Sequence, residues 1–457
     1  MSPTVQPSSV SRLPRRAALV AAGAAAFLSA CGGGSRDDPQ NVVEVLRKDP
    51  STSILAQAID AAGLLPALIG AGPFTVFAPT DAAFAALLSE LNLTQGQLLA
   101  DRALLTSVLQ YHVLGSRVAR ASVPVGRPIS PLSGGIFKVD AAGSDLVVTD
   151  GRNRTANITA IDIAAPNGLI HKIDKVLLPA NRNLVQTAQA NPAFSILVEA
   201  VVAADLAGTL SSTGPFTVFA PTDAAFAALL TELGLSKAQL LANKALLTRV
   251  LTYHVLPARV LKAEVPVGSP IATVQGENFS IDAQLAITDR NGRSARITAT
   301  DVLASNGVIH VIDKVILPKI PNLVELAVSQ PQFSILVEAV QAAGLVGALS
   351  GTTPLTVFAP TNDAFAALLG ELGLSKAELL ANVPLLTTVL TYHVVPGRVV
   401  RAGVPIGQPI TSLQGGTFTV GADLRITDAR ARTAGITATD ALAINGVVHT
   451  LDRVILP

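Results

Sequence analysis

The sequence predicts an α+β fold repeated three times, and three observations carry that expectation. The stretch TVFAPTDAAFAALL at 75–88 returns in near copy at 217–230 and 356–369. Around each copy lie apolar runs of helical spacing, followed by short alternating segments broken by Pro and Gly. Each block then closes on Asn-Gly between two alternating runs, the strongest short hairpin signal in a sequence.

Phe77, Phe219 and Phe358 stand 142 and 139 residues apart, while His171, His310 and His449 are evenly spaced by 139. The difference is a three-residue insertion in the first copy, visible when FKVDAAGSDLVVTD (137–150) is set against FSIDAQLAITD (279–289). An insertion of that kind belongs at a hairpin tip. A period near 140 exceeds the 20–50 residues of a solenoid repeat, so each copy should be a domain with its own core. The expected organisation is 41–179, 180–318 and 319–457. The joints LPANRNLV and LPKIPNLV are short, which favours an extended row of units with restricted angles.

Within the second copy, NPAFSILVEAVVAADLAGTL (191–210) has helical spacing behind a proline, and FTVFA (216–220) reads as a short buried strand. Thr222 can cap a helix that begins at Asp223, whose carboxylate suits the positive end of the helix dipole. That helix should stop at Gly234, matched by Asn92 and Gly373, residue types that accept the left-handed conformation. Ser236 with Gln239 forms a capping box, as do Thr94 with Gln97 and Ser375 with Glu378. From Val265 the pattern alternates, so helices come first and an antiparallel sheet second, with one strand contributed early.

The 457 residues carry 33 Lys+Arg against 32 Asp+Glu and are 49% hydrophobic, as several globular domains would be. A net charge of +1, with no dense basic run interleaved with aromatics, argues against a nucleic-acid partner. The N-terminus differs from the rest: Arg12, Arg15 and Arg16 precede an apolar run from Ala17 to Leu28, then Ser29, Ala30 and Cys31. That is the pattern of an export signal, too short for a spanning helix. It resembles a bacterial lipoprotein signal (1–31), which implies lipidation of Cys31; Arg15-Arg16 also resembles a twin-arginine signal. Cys31 is the only cysteine, so no intramolecular disulfide forms. Residues 32–40 read as a flexible tether. Gly32 is not the Asp associated with inner-membrane retention, which by the same resemblance favours the outer membrane.

All six histidines lie in the repeats, two per copy, and each copy's single Tyr stands directly before the first of them. His310 and Asp313 are three apart on a strand, so they leave on opposite faces and cannot hold one ion. No metal or other cofactor is expected. A hairpin turning about Asn306-Gly307 places Asp301 diagonally across from His310, within reach of a bridging water, and the same holds for Asp162 with His171 and Asp440 with His449. No Ser or Thr recurs beside these pairs as a nucleophile, so no enzyme is expected and a structural pair is the reading. His254 follows Leu247, Val250 and Leu251 on an apolar helix face, where a helix C-terminus favours a charged imidazole.

Together TVFAPTDAAF, YHV and NGVIHVIDKVILP, in that order and separation, resemble the fasciclin domain family over nearly all of 41–457. The resemblance implies α+β wedges with a twisted β-sandwich and several helices, found in secreted or membrane-anchored adhesion and matrix-interaction proteins. It implies that the Tyr-His motif, here Tyr111-His112, Tyr253-His254 and Tyr392-His393, serves receptor binding or the fold. It implies an adhesion role for an acidic-aliphatic pair, here Asp162-Ile163 and Asp301-Val302; Asp440-Ala441 departs from it. The family's first motif usually reads Thr-Asn, as at Thr361-Asn362, whereas Thr80-Asp81 and Thr222-Asp223 carry Asp. The implied function is a lipid-anchored, non-enzymatic adhesion protein of the cell envelope, periplasmic or surface-facing. Its partner would be a protein or polysaccharide of the cell surface or matrix. Some members carry an apolar small molecule such as a carotenoid or lipid, which supplies the alternative.

Overall fold

The computed structural model describes residues 41–457; the expected export signal and tether, and with them Cys31, lie outside the described residues. In the first unit the helices are α1 (Val42–Lys48), α2 (Ser53–Ala62), α3 (Leu65–Leu68), α4 (Asp81–Leu91), α5 (Gln95–Ala100) and α6 (Arg102–Tyr111). The strands are β1 (Phe74–Pro79), β2 (Val113–Leu114), β3 (Pro128–Ile129), β4 (Phe137–Ala142), β5 (Asp145–Thr149), β6 (Thr155–Ala165) and β7 (Gly168–Ile173). They form one sheet in the order β2-β1-β7-β6-β5-β4-β3, and the other two units repeat that order.

Local chemistry sets the helix ends where the sequence places them. Thr80, Thr222 and Thr361 each accept the backbone N–H three residues on, at 3.3 Å. The three capping boxes form, and Asn92, Gly234 and Gly373 end their helices with φ of 53°, 61° and 66°. Asp81 does more than face its own helix dipole. Its carboxylate accepts from the Ile54 N–H at 2.8 Å and the Ser53 hydroxyl at 2.7 Å, so it caps α2 from a neighbouring helix. Asp223 repeats this on Ser195 and Ile196. Asn362 repeats the bond to the Ile335 N–H and adds one from its amide to the Pro331 carbonyl.

Two expectations change. β1 is not antiparallel to the closing strand: it pairs with β7 in parallel, Phe74 opposite Gly168 through Pro79 opposite Ile173. The long stretch between them supplies the crossover that parallel pairing needs. The joints also contain helices, Leu184–Gln189 and Leu323–Val328, each started by an Asn capping box. The linking chain therefore shrinks to about 179–182 and 318–321.

β6 is the strand that curls the sheet. Its start pairs with β5 and its end with β7, and the register breaks in between, where Asp162 takes φ of 59°. Such a bulge bends the strand and raises its twist. Asp301 and Asp440 do the same in their units, with φ of 59° and 62°. The curl creates two interiors. Helices pack Val43, Phe84 and Leu105 against one sheet face, while Phe77, Tyr111, Phe137 and Val148 fill the inside of the curl. The insertion of the first unit lies where expected, at the β4–β5 tip, where Ala142 pairs with Asp145.

In the closing hairpin Ala304 pairs with Gly307, so the turn residues are Ser305 and Asn306, one step before the expected pair. The cause is tertiary. The Asn306 side chain accepts from the Leu184 N–H at 2.9 Å and donates to the carbonyls of Leu210 and Ser212 at 2.8 and 2.6 Å. A Cβ on Gly307 would overlap the Phe216 carbonyl oxygen. Asn167 and Asn445 make the same three bonds. Asn306→Ala leaves one N–H and two carbonyls without these partners, a cost of about 3 kcal/mol or more. Calorimetry should show the transition of the middle unit moving down in temperature while that of the third stays in place.

Candidate functional site

The six imidazoles fall into two structural sets. His112, His254 and His393 follow the helices that end at Tyr111, Tyr253 and Tyr392, and are at most 2% exposed. In each, Nδ1 lies 2.7–2.8 Å from the carbonyl four residues back, on Val108, Val250 and Val389. Each Nε2 accepts a backbone N–H beyond the last strand, from Leu177, Ile316 and Ile455 at 2.8, 3.1 and 3.0 Å. One nitrogen must donate and the other accept, so the ring is neutral with its proton on Nδ1. Burial pushes all three pKa values down to about 4, against the raising effect of the bonded carbonyl. This corrects the charged histidine expected at the helix end: desolvation of a fully buried ring outweighs the helix dipole.

His171, His310 and His449 form the second set, fully buried and packed at 5.3–5.4 Å against Phe77, Phe219 and Phe358. Nε2 lies 2.8–2.9 Å from the carbonyls of Val118, Val260 and Val399. Nδ1 accepts the backbone N–H of Asp162, Asp301 and Asp440 at 3.1, 3.3 and 3.4 Å. Burial lowers these pKa values too. The expected carboxylate–imidazole pair is thus replaced by a backbone contact, while the carboxylates themselves accept the N–H groups of Arg120, Lys262 and Arg401. With both nitrogens bonded in all six rings, none offers a lone pair to a metal or a proton to a substrate.

The tyrosines are interior braces. Tyr111, Tyr253 and Tyr392 have no exposed surface, and their hydroxyls donate to the carbonyls of Ile136, Asn278 and Thr417 at the start of the β4 strand in each unit. The Tyr-His pairs proposed as partner contacts therefore have almost no surface through which to touch one.

The acidic ends differ among the units in exposure. Asp162 is exposed and Ile163 half-buried; its carboxylate accepts from the Arg120 N–H at 3.0 Å. Asp301 is 5% exposed, because the first unit covers it. One oxygen accepts from the Lys262 N–H at 2.8 Å and the other from the Lys138 ammonium at 2.9 Å. Burial alone would lower the Lys138 pKa, but Asp301 and Asp140 hold it raised. Asn153 adds two bonds to the backbone of Leu303, and Ile136 packs with Leu261, Leu303 and Val308. Asp301-Val302, expected to face a partner, is a joint between the first and second units. Asp440 is half-buried beside a cleft of about 460 Å³ between the second and third units.

Reading the residues one by one missed Lys138 and Asn153, which contact a unit about 150 residues away. It also missed Asp150, whose buried carboxylate accepts the N–H groups of Arg152, Arg154 and Leu178 and the Arg154 guanidinium. The recurring segments DGRNR, DRNGR and DARAR were the available signal for the latter.

The family profile described as the fasciclin domain matches residues 50–179, 192–318 and 331–457. The chain belongs to the fasciclin domain family and carries three such domains in tandem. It is similar to transforming growth factor-beta-induced protein ig-h3 of Sus scrofa, 28% identical over 91% of this chain and 58% of that protein. Human periostin is 26% identical over 78% of this chain and 40% of its own length. Protein sll1483 of Synechocystis is 48% identical over 30% of this chain and 73% of its own length. The chain thus spans about three fifths of ig-h3. A solved FAS1 domain pair of the insect cell adhesion molecule Fasciclin I aligns over 60% of this chain and 95% of its own, with TM-score 0.31 and 19% identity.

Two outcomes follow. His112, His254 and His393 have folded pKa values below the ordinary 6.5, so the unfolded chain binds protons first as pH falls. Their contribution is complete above pH 6.5 and declines between 6.5 and 4, by about 3 kcal/mol per domain. Denaturant midpoints that stay level from pH 7.5 to 4.5 would contradict this. Lys138→Ala leaves a buried carboxylate without its cation and should weaken the pairing of domains 1 and 2 by about 3 kcal/mol, read as merged thermal transitions separating.

Proposed function

We propose that this chain is a non-enzymatic adhesion or interaction protein, exported and held by a lipid on Cys31 in the cell envelope, with the outer membrane favoured. The observation that carries the non-enzymatic part is the bonding of all six imidazoles, which commits the repeated His residues to the fold. Family membership supports an interaction role, and tandem weak sites gain avidity when they engage together. Among the described residues no helix is long and apolar enough to cross a membrane. The partner is a protein or polysaccharide of the cell surface or matrix.

Of the acidic-aliphatic pairs, Asp162-Ile163 is the one with an exposed carboxylate and is the partner contact we favour. Beads coated with the protein should adhere to surfaces bearing envelope or matrix material. The variant with Asp162→Asn, which keeps a residue type that accepts the left-handed backbone, and Ile163→Ala should lower retention about tenfold, roughly 1.4 kcal/mol, with the fold unchanged by circular dichroism. Equal retention would remove that end as the contact.

A second reading, a carrier of an apolar small molecule, is favoured by one feature of domain 1. An apolar groove of about 300 Å³ between α4, α5 and α6 reaches the lower range of ligand sites.

A further inference from the structure

The bulge aspartate lies on the same surface of every domain, and the two positions flanking it change with what faces them. In domain 1 they are Ala119 and Ala164; Ala164 is exposed, as is Asp162. In domain 2 they are Leu261 and Leu303, 0% and 2% exposed, with the Lys138 ammonium of domain 1 on the Asp301 carboxylate. In domain 3 they are Val400 and Leu442, so this surface carries the larger side chains of the covered one. It is covered only in part. Leu442 and Asp440 are half-buried, Ala402 is exposed, and all three border the cleft of about 460 Å³ toward domain 2. One Asp440 oxygen accepts the Arg401 N–H at 2.7 Å, and the other has no partner among the described residues.

The opposite wall of that cleft contains Lys244. Its ammonium pairs with Asp205, and both side chains stand in solvent, 60% and 76% exposed. Neither residue is favoured where it sits. Asp205 takes φ of 57° at the left-handed position that Gly63 and Gly344 fill in the other domains, where a side chain costs more than glycine. Lys244 opens its helix, Lys244–Tyr253, at the end that disfavours a cation. An exposed ion pair adds little to stability, so Asp205 holds the lysine only weakly.

We propose that domain 3 closes on domain 2 over this cleft, Lys244 exchanging Asp205 for Asp440, so that the second joint acquires the charge pairing of the first. The structure holds the open form, with the lysine parked on Asp205. In the closed form Leu442 becomes covered as Leu303 is, and the free Asp440 oxygen gains the ammonium that Asp301 receives from Lys138. Closure sets the angle of the third domain against the fixed first pair, whatever partner the chain meets.

Acetylation of Lys244 by acetic anhydride, followed by mass spectrometry on the full-length protein at low ionic strength, tests this exchange. Asp205→Gly restores the residue type of the other domains and leaves Asp440 as the carboxylate within the cleft. Acetylation of Lys244 should then slow about threefold relative to the unaltered protein, because an ammonium buried against a carboxylate seldom sheds the proton that the reaction requires. A lysine merely released into solvent reacts as fast as before or faster, and that result overturns the proposal. Adding Asp440→Asn, which keeps a residue type that accepts the left-handed backbone and the bond from Arg401, should return the rate to that of the unaltered protein or above it. Amide hydrogen exchange over 400–403 should slow in Asp205→Gly and recover in the double variant. Protection of Lys244 that persists in the double variant, or exchange over 400–403 that never changes, assigns the effect to another contact and equally overturns the closure.

Discussion

Each domain depends on a neutral imidazole that ties the end of one helix to the chain segment beyond the last strand. Nδ1 of His254 donates to its own helix and Nε2 receives Ile316, so a single ring connects the helical layer to the strand side of the fold. The bond pair works only for one tautomer and only without charge, because a proton on the accepting nitrogen would face an N–H. Burial enforces that state by making the charged ring costly. The same ring in domains 1 and 3 explains why Tyr and His recur together: the tyrosine seals the interior of the curl and the histidine closes the helix beside it.

The second constraint is the bulge in the longest strand. Without a left-handed residue at Asp162, Asp301 and Asp440 the strand would continue flat, and the sheet would not wrap around Phe77, Phe219 and Phe358. The bulge also turns three carboxylates outward at the end where one domain meets the next. In domain 2 that carboxylate is answered by Lys138, with Asn153 and a small apolar cluster beside it. The joint to domain 3 is made otherwise, by Ile320 and Ile444 on the core of domain 2, and it leaves a solvent cleft at Asp440. Three nearly identical units thus present their acidic ends in three settings.

Much of this was legible beforehand. The period, the α+β order, the caps, the helix stops and the insertion at a hairpin tip follow from local rules: a side chain acting three residues away, a Gly or Asn at a terminator, alternation along a strand. The joint helix at Leu184–Gln189 escaped because six residues give too little periodicity. The hairpin register shifted because Asn306 answers to Leu184, Leu210 and Ser212, residues far away in sequence. The charge of His254 was misjudged because a helix end is visible in a sequence and complete desolvation is not.

By itself the sequence determined that there are three copies, what each is made of, and that their shared residues include no nucleophile beside the histidines, since these are matters of period and residue type. Only the tertiary structure decided which copy of a repeated residue is exposed and which is covered. Asp162 and Asp301 occupy equivalent places in equivalent domains, yet one faces solvent and the other a lysine from a neighbouring domain. That difference arises from contacts between units about 140 residues apart, which no local pattern encodes.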